Sequence, residues 1–194
     1  MTTAEQRAYY RANDTAYLHY RTLESPPISL DPYSAQFHVP QSLHLIGELQ
    51  KLAIESNQML KLIYAENPTL GQYLETLHQR FDCLTQLTIL NQPAASPQAT
   101  QEINLSAGGM AFYTELELLV GDYLHLQLTL FPNLTNILAI ACVRNKTRTT
   151  HANTHTSSYR IGVEFVGIRE VDQQLIVKHL MQQQLRERKT RATV

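Results

Sequence analysis

The chain has 194 residues, 43% of them hydrophobic, a length that supports one sizeable domain or one domain carrying a large insertion. Sixteen Lys and Arg against seventeen Asp and Glu leave a net charge of −1, so no whole-molecule field steers the protein onto nucleic acid, and an anionic ligand must meet a local basic cluster. Cys83 and Cys142 stand far apart in unlike surroundings, which excludes a disulfide framework or a zinc ribbon. The N-terminus MTTAEQRAYYR lacks an apolar signal core, and no run reaches the roughly 20 apolar residues of a membrane span.

A soluble, cytoplasmic protein without membrane insertion is therefore expected. Residues 14–23, DTAYLHYRTL, mix β-branched and aromatic side chains in rough alternation and predict a strand. ESPPISLDPYSAQFHVP follows with four prolines and cannot form one regular element. Two helices are predicted next, over about 42–65, with Ser42 as N-cap, and about 68–90. Pro68 suits the first turn of the second helix and Asn67 its cap. Leu45, Leu49, Leu52, Met59 and Ile63 fall on steps of three and four interrupted only by Ser56, and Leu70, Leu74, Leu77, Phe81 and Leu84 repeat the pattern. Ile46, Ala53 and Leu60 add a second stripe at seven-residue intervals. An apolar seam that broad suits a bundle of more than two helices, so residues 42–90 predict a homo-oligomer, a tetramer in preference to a dimer. NQPAASPQAT, 91–100, is a linker by composition.

From residue 101 the period changes to two. Ile103 and Leu105 mark a short strand that runs into Ala107-Gly-Gly109 and resumes at Met110–Phe112. Leu124, Leu126, Leu128 and Leu130 alternate with polar residues, the pattern of a half-buried strand. NILAIACVR, 136–144, is apolar on both faces, as a strand between a barrel interior and a covering element must be. YRIGVEFVGI, 159–168, alternates again. EVDQQLIVKHLMQQQLRERK, 170–189, predicts a terminal helix whose Val171, Leu175, Ile176 and Leu180 share a face. The architecture that emerges is mainly a β barrel with a C-terminal helix, interrupted after its first strand by a long helical hairpin, α+β overall.

Two short motifs carry chemistry. Arg7-Ala-Tyr-Tyr-Arg11 sets two arginines four apart directly before the first predicted strand, and Asn104-Leu-Ser106-Ala-Gly-Gly109 has the form Asn/Asp-x-Ser-x-x-Gly. A guanidinium can donate paired hydrogen bonds to guanine O6 and N7 or to phosphate, and its plane can stack on a purine. The alternative reading is structural: solvated terminal charges and a hairpin whose polar and glycine residues serve only the turn. His151 and His155 in HANTH have no third ligand nearby, so no metal site is expected. No Ser-His-Asp, paired-carboxylate or phosphate-loop arrangement points to an enzyme.

The two motifs, their order and the closing segment Tyr159–Ile168 together resemble the PilZ domain, the bacterial receptor module for cyclic di-GMP. The resemblance covers about residues 5–24 and 100–188. It implies a barrel of six or seven antiparallel strands built from 1–24 plus 98–190, with 35–92 inserted as an oligomerising hairpin and 191–194 as a tail. It further implies cyclic di-GMP as ligand, with no other cofactor. Arg7 and Arg11 would hold it from an N-terminal arm that the ligand orders, Asn104 and Ser106 would supply polar contacts, and Gly109 would leave room for its approach. Gly108 would serve the turn and Arg144 would add a third charge. A motility, pilus or biofilm protein would read the bound state. The alternative that stays open is an assembly adaptor whose PilZ-like barrel no longer binds nucleotide.

Overall fold

A computed structural model describes residues 10–90, 100–150 and 157–192. The stretch holding Arg7, most of the linker, and His151 with His155 lie outside the described residues. Six strands, β1 (Arg11–Leu23), β2 (Thr100–Ser106), β3 (Gly109–Thr114), β4 (Tyr123–Leu130), β5 (Thr135–Thr150) and β6 (Ser157–Ile168), form a closed antiparallel barrel in the order β1-β2-β3-β6-β5-β4. Between β1 and β2 stand two helices, α1 (Gln41–Glu66) and α2 (Pro68–Leu90), and α3 (Glu170–Ala192) ends the described chain. The expected architecture is what the molecule adopts, an α+β fold with six strands.

The barrel fills from alternate positions of each strand. Leu124, Leu126 and Leu130 of β4 point inward with Leu105, Phe112 and Ile161. Ile176 and Leu180 of α3 join the same core, so the terminal helix plugs the barrel with one face. β1 begins three residues earlier than expected. Ala12 and Ala16 are buried while Arg11, Asn13 and Thr15 face out, so the period-two pattern does extend back to Arg11. Alanine and asparagine are poor strand formers, which hid that pattern.

The two-sided apolar strand has its predicted cover. Ile137 and Val143 face the barrel interior, whereas Leu138 packs outside it with Tyr33, Leu43 and Ile46 in a second, smaller core. Residues 24–40 thereby strap the base of α1 onto the barrel. Phe37 stacks on His125 at 4.6 Å, and the His125 ring donates to the Pro32 carbonyl at 2.9 Å. Burial holds that imidazole below its ordinary pKa. Pro40, not Ser42, occupies the N-cap of α1, because the helix starts one residue before Ser42. The second cap is as expected: Asn67 is the only residue between the helices, and its side chain accepts the Leu70 amide at 3.1 Å.

Strap, stalk and barrel meet at Arg169. Its guanidinium lies 3.6 Å from the centre of the Tyr33 ring and within 3.5 Å of Asp31 and of Glu48, which belongs to α1. Beneath it Asp172, in the first turn of α3, is 2% exposed, and its Oδ2 has no hydrogen-bond partner. Burial pushes its carboxyl up to about 7, against the opposing pull of Arg169. The native state therefore binds a proton between about pH 4 and 7 that the unfolded chain has released, and stability from this group falls as pH rises through that window. The near-isosteric Asp172→Asn removes the dependence. Its unfolding free energy from urea titration should exceed that of the wild type at pH 8 by on the order of 3 kcal/mol, with the gap closing towards pH 4.

Candidate functional site

The pairing of β1 with β2 brings the two ends of the barrel sequence together. Arg11 lies opposite Ser106 and Asn13 opposite Asn104, although more than ninety residues separate each pair in the chain. Arg11 is thus the first residue of a strand rather than part of an arm before it, and its side chain is exposed on the outer face. The β2–β3 connection is a two-residue hairpin, Ala107-Gly108, with Ser106 paired to Gly109. The Ser106 hydroxyl, buried, donates to the Gly109 carbonyl at 2.9 Å, and the Gly108 carbonyl accepts the Phe165 amide at 2.9 Å. The hairpin is therefore closed on itself and pinned to β6.

Gly109 serves this packing directly. A Cβ there would collide with the Val163 carbonyl of β6, so the missing side chain lets β3 lie against β6 whatever else it admits. Arg144 sits at a register irregularity of β5 between Val143 and Asn145, and its Nε donates to Glu164 at 2.6 Å. That hydrogen bond holds the guanidinium pKa above its ordinary value. Glu164 in turn lies opposite Gly109, which places Arg144 two strands from the hairpin, at its outer corner. More than half of each side chain in the pair is exposed. Exposed pairs of this kind are worth about 0–1 kcal/mol, so this one adds little to stability.

Asn104 faces outward into a groove of about 390 Å³ that crosses β1, β2, β3 and β6. Its amide nitrogen donates to the Asn13 side-chain oxygen at 2.8 Å, which fixes its orientation and leaves its own oxygen as an acceptor. Across the floor the row continues as Ala111 and Gly162, and the Asn145 side chain occupies the space over Gly162 that a Cβ would fill. One step along the strands, Glu102, Tyr113 and Arg160 form the next row of the lining. None of Asn13, Glu102, Tyr113, Asn145 and Arg160 belongs to either motif. Only the register reveals them, since each becomes a neighbour of Asn104 through pairing across strands.

Helix α3 steadies this surface from behind. Gln183 donates to the Asn13 carbonyl at 2.6 Å, Gln173 donates to the Ala107 carbonyl at 3.1 Å, and His179 pairs with Asp14 in a largely buried contact. Both halves of the candidate site, the β1 end and the hairpin, are fastened to one helix. Among the described residues no group of three or more His, Cys, Asp and Glu could hold a metal ion, and no helix is long and apolar enough to cross a membrane.

Comparison with known proteins bears on this geometry. No curated protein matches the chain. Among solved structures, a tetrameric PilZ-domain protein of Xanthomonas campestris, self-assembled through a helical bundle, superposes with a TM-score of 0.55 at 13% identity. The match covers 93% of this chain and 89% of that one, so the likeness of fold includes the helical hairpin. The PilZ domain of YcgR from Escherichia coli, solved with cyclic di-GMP, covers 50% of this chain and 82% of its own at 14% identity and TM-score 0.38. MrkH of Klebsiella pneumoniae in its apo state covers 47% and 43% at 24% and 0.42. The family model of the PilZ domain matches residues 76–182, more than half of the sequence. The chain belongs to the PilZ domain family.

Proposed function

We propose that the protein is a receptor for cyclic di-GMP that acts as an oligomer and passes the bound state to a motility, pilus or biofilm protein. The observation that carries this reading is the register of β1 against β2. It sets Asn13 against Asn104 in the lining of an outward groove, and Arg11 against Ser106 one step beyond that lining. A cationic fork beside polar acceptors on rigid strands suits a ligand with two phosphates and two guanines. Arg7, assigned by its spacing from Arg11, would supply the second fork, and the segment bearing both would be what a partner senses. The role requires binding and release, with no chemical step.

The stalk supports the oligomeric part of the proposal. Leu45, Leu49, Leu52, Met59, Leu62, Leu70, Tyr73 and Phe81 are all exposed on α1 and α2, whereas Ile63, Leu74 and Leu77 are half-buried. A solitary hairpin leaves this apolar stripe in water, at about 1.5–3 kcal/mol for each large side chain that a second copy would cover. The helical-bundle tetramer formed by the Xanthomonas protein makes four chains the favoured number. An adaptor working only through these helices is the competing reading. The same exposed stripe favours it, and titration separates the two.

Calorimetric titration with cyclic di-GMP, beside GTP and GMP controls, should give a saturable heat for the cyclic dinucleotide alone. Arg11→Ala and Asn104→Ala should each weaken binding by about tenfold or more while the circular dichroism spectrum is unchanged. Gly109→Ala is unsuitable for this purpose, since it disturbs β3–β6 packing. A wild-type protein that gives no heat at micromolar ligand overturns the receptor reading and leaves the adaptor. Sedimentation should separately show an assembly larger than a dimer. Introducing charge into the stripe with Leu52→Glu and Phe81→Glu should reduce it to monomer without unfolding the barrel, and a wild-type monomer at all concentrations would refute self-assembly.

A further inference from the structure

We infer that Glu102 selects guanine over adenine in the outer groove, reading the base edge that neither motif reaches. The inference rests on the nucleotide-receptor reading and adds a specificity residue to it. Thr15 and Glu102 are opposite one another across β1 and β2, and Tyr113 and Arg160 are opposite across β3 and β6. Glu102 and Tyr113 occupy the positions next along from the Ile103–Phe112 pair, so these side chains line one row of the groove. The row combines three chemistries that a purine uses: a carboxylate acceptor, an aromatic ring and a guanidinium.

The spacing separates this row from the arginine end. Glu102 and Ser106 lie four residues apart on the same face of β2, about 13 Å at strand rise. A carboxylate there stands clear of phosphates held beside Arg11, and a base extending along the groove from those phosphates runs towards it. Guanine offers two parallel donors on its outer edge, N1–H and the 2-amino group, which a carboxylate accepts with both oxygens. Its O6 and N7 are acceptors for a guanidinium such as Arg160. Adenine presents an unprotonated N1 in place of the N1–H and no 2-amino group, so it turns a lone pair towards the Glu102 carboxylate. Asn104 matches guanine less well, because with one amide hydrogen committed to Asn13 it presents one N–H and one acceptor oxygen, whereas a carboxylate offers two acceptors to the paired guanine donors. Glu102 is exposed and makes no packing contribution, so its removal does not threaten the fold.

Titration of the full chain with cyclic di-GMP and with cyclic di-AMP, for wild type, Glu102→Ala and Glu102→Gln, tests the inference. The wild type should prefer the guanine ligand by tenfold or more. Glu102→Ala should lose about tenfold in affinity for cyclic di-GMP with no loss for cyclic di-AMP, and Glu102→Gln should fall between. If the wild type binds cyclic di-GMP and Glu102→Ala keeps the full preference, the receptor reading stands and the role of Glu102 is refuted. If the wild type binds neither dinucleotide, both fall together.

Discussion

Hydrogen bonding along both edges of β1 is the constraint on which the rest of the molecule depends. Residues Arg11–Tyr17 pair with β2, and Ala16–Leu23 pair with β4, so one thirteen-residue strand closes the barrel between two partners that follow it by about a hundred residues. Without that strand the remaining sheet has two open edges, with unpaired backbone donors and acceptors. With it in place, Arg11 arrives opposite the serine of a distant hairpin, and everything between Leu23 and Thr100 has to leave and re-enter the barrel as an excursion.

The two faces of the barrel divide the labour. The inner face holds leucine, isoleucine and phenylalanine against α3, and that packing fixes the strands in their register. The outer face over β1, β2, β3 and β6 carries amides, small residues and a few charges on strands that packing has already made rigid. Helix α3 works for both, since Ile176 and Leu180 enter the core while Gln173 and Gln183 reach out to the hairpin carbonyl and to Asn13. The strap behind β4 and β5 forms a second seat, where Arg169 ties α1 to the barrel through Tyr33, Asp31 and Glu48.

Most of the fold was legible in the sequence because its signals are local. The four alternating leucines of β4, the two-sided run of β5 and the Asn67-Pro68 break need no knowledge of distant residues. The candidate site was legible only in part, since a motif marks its own residues and not their neighbours. Asn104 could be picked out, but its partnership with Asn13 depends on a pairing between strands ninety-one residues apart. Gly109 illustrates a different difficulty. Small size can mean access for a ligand or for the main chain of an adjacent strand, and the position of the Val163 carbonyl decides that it at least serves the latter. Asp172 gave no sign of its setting, because an acidic residue in the first turn of a helix usually faces solvent and is stabilised there by the helix dipole.

The single-residue joint at Asn67 has a consequence for how such molecules diverge. Because α1 leaves the barrel and α2 returns with nothing but one capped asparagine at the far tip, the excursion behaves as a telescoping mast. Lengthening both limbs by seven residues would raise the tip by about 10 Å and leave the spacing of its apolar repeat in step. The footings at Glu48 and at Leu43 and Ile46 would not feel the change. Height above the barrel is thus free to drift through evolution while the closure at the base stays untouched.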